Sequence, residues 1–318
     1  MYKIYTDQYT LFKIICTTLP NTLCHIGIQA PLNGFALKKN EIIWVIIACV
    51  IPDLPWIELK LLLATQTINP YDLRLYCTAQ ASLLFCLVLA GGLCLLTQNS
   101  IKIFLILGIN SLFHLLLDSL QIKWGNGVNI ISPFNWELFH LDIFWPEFSG
   151  TVILSAVGFL YLIYNWNKIK TDRPLHKAPN KKKYAIGSLF IVLYFLGPLY
   201  FINQLDDADT YFIHTMRNIN ERTGKPIKLD RARYNAGTHE VKIYSGEKIK
   251  ITGSLPQESG RVSFSGFFQD NNTITSKAFH QHNNYRDLAS FIGLFMACAL
   301  VLQSLVLASI NSNKPHSG

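Results

Sequence analysis

Ile101–Leu120 reads IKIFLILGINSLFHLLLDSL, and Gln121–Glu147 continues it as QIKWGNGVNIISPFNWELFHLDIFWPE. The first part is apolar over about 20 residues, the length that crosses the hydrocarbon core of a bilayer. It nevertheless carries His114 and Asp118, four residues apart and therefore on one face of a helix. Ionisable groups at membrane depth are expensive and have a function or a partner. The second part turns polar and aromatic, with Asn126, Glu137, His140, Asp142 and Glu147 among Trp124, Trp136 and Trp145. A helix leaving a membrane into a polar, aromatic loop is the pattern, and it sets the expected fold class: a polytopic α-helical membrane protein.

The rest of the composition agrees. Of 318 residues, 50% are hydrophobic and 15% are charged, whereas about a quarter of a soluble globular chain is charged. The net charge of +8 is concentrated in residues 167–183, where seven lysines and arginines meet one acid. A basic stretch that short is a topology signal facing the cytoplasm, and no nucleic-acid-binding motif accompanies it. The seven cysteines lie mostly in apolar runs, and none falls between Gln204 and Asp287. No two have the Cys-x-x-Cys spacing, so they describe neither a disulfide framework nor a zinc knuckle.

In chain order, residues 1–20 read as an interfacial lead-in without a small-residue cleavage site. A helical membrane domain is expected over 21–166. Its first helix starts at Asn21 or Thr22 and runs through His25 towards Gly34. The second covers Glu41–Ile51 and ends at Pro52 and Pro55, leaving Asp53 on a turn. Leu59–Asp72 reads as an amphipathic surface segment. Spans are expected at Thr78–Thr97, Ile101–Leu120, Ser149–Trp166, Tyr184–Asn203 and Leu288–Ile310, about six to seven in all. The basic segment 167–183 then lies inside, 184–203 and 288–310 cross, and 311–318 is a tail. Residues 204–287 form a small α+β, β-rich extracytoplasmic domain. Within it, Asp206–Arg222 reads as an amphipathic helix. The alternating runs at 241–243, 249–251, 262–264 and 273–275 give four or five strands, for which an OB-like barrel is one form. The three tryptophans read as interface anchors, and His280 and His282 as solvated.

This topology carries His25, Asp53, His114 and Asp118 from three segments to one depth. Imidazole and carboxylate are the donors of Zn, Mn or Fe sites, and a divalent ion there activates water and polarises an acyl or phosphoryl oxygen. Each residue also has a plainer reading. His25 serves as a helix–helix hydrogen-bonding group, Asp53 as a cap after proline, and His114 with Asp118 as an internal pair.

The segments Thr22-Leu-Cys-His25-Ile-Gly27, Ile51-Pro-Asp53 and His114-Leu-Leu-Leu-Asp118-Ser-Leu, followed by Gly127-Val and Ser132-Pro133-Phe134, resemble the metal-dependent hydrolase family of the bacterial inner membrane. That family is also described as LexA-binding and inner-membrane-associated. The resemblance covers roughly residues 20–150. It implies a divalent metal at His25, Asp53, His114 and Asp118, with Asp53 and Asp118 catalytic. It also implies a lipid-linked or envelope ester or phosphoester as substrate, with the bilayer and envelope components as partners and no nucleic acid. Two departures stand out. Pro55 occupies the place of the family's second carboxylate, and no histidine lies between Asp53 and Gly91, where only Arg74 and Ser82 fall in a comparable region. The alternative is a non-enzymatic membrane scaffold or envelope-assembly protein whose outer domain binds a partner. A transporter fits less well, because the charged groups gather at one face rather than at the midplane.

Overall fold

The first helix begins at a cap that also ties it to a neighbour. Asn21 Oδ1 accepts the Cys24 N–H at 3.1 Å, satisfying one of the open amides of a first helical turn, while Asn21 Nδ2 donates to Ser155 Oγ at 2.7 Å. The computed structural model describes residues 21–97, 100–169 and 181–312. Residues 1–20, the centre of the basic stretch 167–183 and the end of the 311–318 tail lie outside them. Helix α1 is Thr22–Asn33, and it packs backbone to backbone on α7, Ser149–Ile169. A Cβ on Gly27 would sit 2.0 Å from Leu154 O, and one on Gly158 would sit 2.2 Å from Leu23 O. Only glycine permits that approach.

The second expected helix does not stop at the prolines. Helix α2, Ile42–Ala48, passes through a 3-10 turn at Ile51–Asp53 into α3, Leu54–Thr65. Lys39–Thr65 is therefore one apolar path of 27 residues. Pro52 and Pro55 each occupy a first-turn position, where the missing N–H costs no bond, so they redirect the chain without ending it. Asp53 accordingly lies within this path, and Leu59–Asp72 is not one surface segment.

Thr78–Thr97 is not one straight span. Helix α4, Pro70–Gln80, meets α5, Leu83–Leu95, at 65°. Ser82 is extended there, with φ −70° and ψ 158°, and the Leu83 amide bonds Asn129 O at 3.0 Å, so the loop that carries Asn129 supports the break. Helix α6 is Ser100–Ser119. Helix α8, Lys181–Leu196, continues through a 3-10 turn at Gly197–Phe201 into α9, Ile202–Asp207. Among the described residues, five helical paths are long and apolar enough to cross a membrane, and up to six if the bent pair is one span. Sequence reading gave six to seven; α1, with 12 residues, falls short of the roughly 20 a crossing requires. Ile153, Leu160, Leu189, Phe295 and Leu302 point outward, exposed.

The expected amphipathic helix over Asp206–Arg222 is instead a docked, broken segment. Asp209, Tyr211 and Phe212 have positive φ, and only Ile213–Arg217, α10, is α-helical after them. The Asp209 carboxylate accepts the Thr215 N–H at 3.0 Å and hydroxyl at 2.6 Å, holding the turn that breaks the helix. Tyr211 donates its hydroxyl to Gly127 O at 3.0 Å. The tryptophans are likewise packing residues. Trp136 is buried against Phe201 with ring centroids 5.1 Å apart, and Trp145 stacks on His280 at 3.6 Å.

Five strands follow: β1 Pro226–Asn235, β2 Glu240–Lys242, β3 Lys248–Gly253, β4 Gly260–Phe268 and β5 Thr273–His282. They close a barrel in the order β1-β2-β3-β5-β4, with β3 and β5 parallel. This is a five-stranded Greek-key arrangement of the OB type, filled by Val241, Ile249, Val262, Phe264, Phe268 and Ile274. Helix α11, Tyr285–Ser312, returns from the barrel to the apolar helices and packs on α1 near Leu23.

Gly158→Val forces a methyl pair into the Leu23 backbone. Overpacking of this kind costs about 1–3 kcal/mol, so the thermal unfolding midpoint in detergent should drop by several degrees. An unchanged midpoint would show that α1 and α7 are not in backbone contact.

Candidate functional site

Three segments place four ionisable side chains in one buried cluster. His25 comes from the second turn of α1, Asp53 from the 3-10 turn between α2 and α3, and His114 and Asp118 from successive turns of α6. All four are buried. The two imidazoles lie parallel, 3.8 Å apart and 3° from coplanar orientation. His25 Nε2 faces Asp118 Oδ1 at 3.4 Å, and His114 Nε2 faces Asp53 Oδ1 at 3.4 Å and Asp118 Oδ2 at 4.0 Å. Despite these distances, neither nitrogen of either ring has a hydrogen-bond partner, and Asp53 Oδ2 has none.

Buried polar atoms without partners are rare and call for an explanation. A shared ion supplies one. Donors about 2.0–2.1 Å from a tetrahedral ion stand roughly 3.4 Å from one another, the separation found here between nitrogen and carboxylate. The donor atoms of His25, His114 and Asp118 all lie within 4.8 Å of one another. The two-imidazole, one-carboxylate set fits Zn²⁺, Mn²⁺ or Fe²⁺. Lys123 approaches from outside this set, with Nζ 3.1 Å from Asp118 Oδ2, and Gln121 Nε2 donates to Asp118 Oδ1 at 3.5 Å.

A cavity of about 1350 Å³ opens above the cluster and includes Asp118 in its lining. Helices α3 and α6 supply a mainly apolar wall through Trp56, Leu59, Leu63 and Leu115, which also carries Lys60; β1, β4 and the first turn of α11 supply a cationic one, and Arg74 enters from α4. Among the described residues, nine lysines and arginines line it against two carboxylates, Asp118 and Asp230. Burial lowers the Lys123 ammonium from its ordinary value against the pull of Asp118, and neighbouring Arg286 lowers it further.

A second group, Glu147, His280 and His282, also has donor atoms close enough to share one ion. Its contacts are different, because they are already made. His282 Nδ1 lies 2.8 Å from Glu147 Oε1 and its Nε2 lies 2.8 Å from Ser263 Oγ. Arg231 Nη1 bonds Glu147 Oε1 at 3.2 Å, and Arg231 Nη2 bonds Asp287 Oδ1 at 3.2 Å. A β1 bulge between Leu229 and Ala232 puts Arg231 at φ 49° and re-aims its side chain in this way. A cation is thus already bound, and the group joins barrel, loop and α11. His282 is buried and His280 half-buried, which corrects their reading as solvated residues.

Of the weaker loop candidates, His140 and Asp142 pair with each other at 2.9 Å on the exposed side, and Glu137 bonds Asn135. Sequence reading misses Lys123 and Arg286, and it names Arg74 only as a residue in the region comparable to the family's missing element. An arginine just before the last apolar run was the available signal, since a charge at that boundary requires a partner. No protein-family model, no curated protein and no solved structure matches the chain.

Burial raises the Glu147 carboxyl, but the hydrogen bond and charge of His282, with Arg231, hold it down at about 2 against an ordinary 4.5. A depressed carboxylate stabilises the fold above its unfolded value and loses that contribution as pH falls through the folded value. The unfolding midpoint of wild type should therefore approach that of Glu147→Gln between about pH 4.5 and 2. A difference that stays constant over this range would remove Glu147 from the joint.

Proposed function

We infer that the chain is a membrane-embedded, metal-dependent hydrolase of the bacterial inner membrane, acting on a lipid-linked or envelope ester or phosphoester at the outer face. The observation that carries this reading is the set of four imidazole nitrogens without hydrogen-bond partners, packed against two carboxylates beneath an open cavity. The resemblance of its short motifs to those of inner-membrane metal-dependent hydrolases points the same way.

The sidedness follows from charge. Lys39, Lys102 and Lys181–Lys183 gather at the helix ends away from the barrel, where Lys102 pairs with Glu41 at 2.6 Å and Lys183 Nζ reaches Ser100 Oγ at 3.4 Å. Basic helix ends face the cytoplasm, so barrel and cavity face outward on this reading.

In this role His25, His114 and Asp118 hold the ion, and a divalent cation so held supplies Lewis acidity and lowers the pKa of adjacent water. Asp53, whose Oδ1 stands 3.4 Å from the same His114 Nε2, is placed as a further carboxylate donor at the edge of this set. Its Oδ2 is the atom left to take up a proton. Lys123 balances the charge of Asp118 and keeps its second oxygen turned towards the cavity. The apolar wall excludes bulk water from one side.

A scaffold is the second reading, and one observation favours it: Lys123 already neutralises Asp118 at 3.1 Å. Elemental analysis of the purified protein separates the two. The hydrolase reading expects about one equivalent of Zn, Mn or Fe in wild type. His114→Ala should lose most of it, since loss of a ligand costs at least the 10–100-fold in affinity seen for outer-shell partners. Metal-free wild type, or equal content in the variant, would leave the scaffold.

A further inference from the structure

Two guanidinium groups in the cavity, buried Arg286 and half-buried Arg74, pair with no described carboxylate. Arg286 is 5% exposed, forms no ion pair with any described residue, and has an Nε without a hydrogen-bond partner. Its neighbour Asp287 turns the other way, to Arg231 and Arg261. Lys60, Lys123, Arg231 and Arg261 lie close enough to be acted on by the charge of Arg286. Arg74, half-buried, stacks on Tyr244 at 4.2 Å and Tyr211 at 5.1 Å, and its Nε is also without a partner.

Burying a cation without an anion is costly; Lys123, Arg231 and Arg261 each meet a carboxylate, whereas no described carboxylate pairs with Arg286. The missing element is an anion. A guanidinium fork matches the oxygens of a phosphate in a bidentate fashion; Arg286 lies near Lys123, and Arg74 offers a second fork in the lining of the same cavity. The opposite wall of Trp56, Leu59, Leu63 and Leu115 is apolar, and at about 1350 Å³ the cavity exceeds the roughly 300–1,000 Å³ of ordinary small-molecule pockets. Phosphoryl recognition on one wall and hydrocarbon contact on the other describe an amphiphile.

We propose that the cavity binds the phosphoryl group of a lipid-linked phosphate ester, with Arg286 and Arg74 as its primary contacts and the α3–α6 wall as the seat of its apolar portion. This selects the phosphoester over the carboxylic ester left open above. It rests on the hydrolase reading for turnover but not for binding.

The test is calorimetric titration of the full-length protein in detergent with three probes: dihexanoyl phosphatidate, inorganic phosphate and dihexanoylglycerol. Phosphatidate should bind tightest, inorganic phosphate more weakly and dihexanoylglycerol not measurably. Arg286→Gln should weaken phosphatidate about tenfold or more, as loss of a charge-assisted hydrogen bond does, and Arg286→Lys should weaken it less. Arg74→Gln provides an independent variant, and the unfolding midpoint of each shows whether it folds. Equal phosphatidate affinity in wild type and both folded Gln variants overturns the proposal, as does equal binding of dihexanoylglycerol. Inorganic phosphate binding as tightly as phosphatidate overturns the lipid source. Metal content is measured on the same preparations. Arginine-dependent phosphatidate binding without metal upholds the phosphoryl site and rejects the hydrolase; bound metal without such binding does the reverse.

Discussion

Two imidazoles and two carboxylates, buried where the surroundings are apolar, are the constraint on which the membrane half of this protein depends. Groups of this kind are tolerated only when each satisfies another or a ligand. Their convergence fixes the packing of three segments at once. Helix α1 must approach α7 to backbone contact at Gly27 and Gly158 to present His25. The path through Pro52 and Pro55 must turn without breaking to bring in Asp53. Helix α6 must keep His114 and Asp118 on its inner face. The stacked rings at 3.8 Å are the point where these requirements meet.

The barrel depends on a different interaction. A bulge in β1 aims Arg231 into a buried triad with Glu147 and Asp287, so one side chain joins the loop after α6 to the first turn of α11. Tyr211 and Trp136 add a second attachment through the loop. The barrel is thereby held over the cluster rather than tethered beside it, and the space between them becomes the cationic cavity. Cluster, cavity and joint are consequences of how polar groups are accommodated at the edge of an apolar body.

Much of this was legible in the sequence, for physical reasons that differ by residue. His114 and Asp118 stood out because an i,i+4 polar pair inside an apolar run needs a partner or a function. Four strands were visible through their period-two alternation, but β1, Pro226–Asn235, was not among the alternating runs. Pro52 and Pro55 misled, since proline ends a helix in its interior but is accommodated in a first turn. The break at Ser82 was hidden because the support comes from Asn129, 47 residues away in sequence and adjacent only in the fold. His280 and His282 looked exposed in a polar strand, yet barrel closure and Trp145 cover them. The cationic wall drew on β1, β4 and α11 together, and no local pattern in any of them points to a common cavity.

The most direct test of the central claim is X-ray absorption at the K edge of whichever metal co-purifies with the protein. The account predicts a first shell of two imidazole nitrogens with one or two carboxylate oxygens at about 2.0–2.2 Å, including the outer-sphere scattering that imidazole rings produce. A shell of water oxygens alone, or one containing thiolate sulfur, would contradict it.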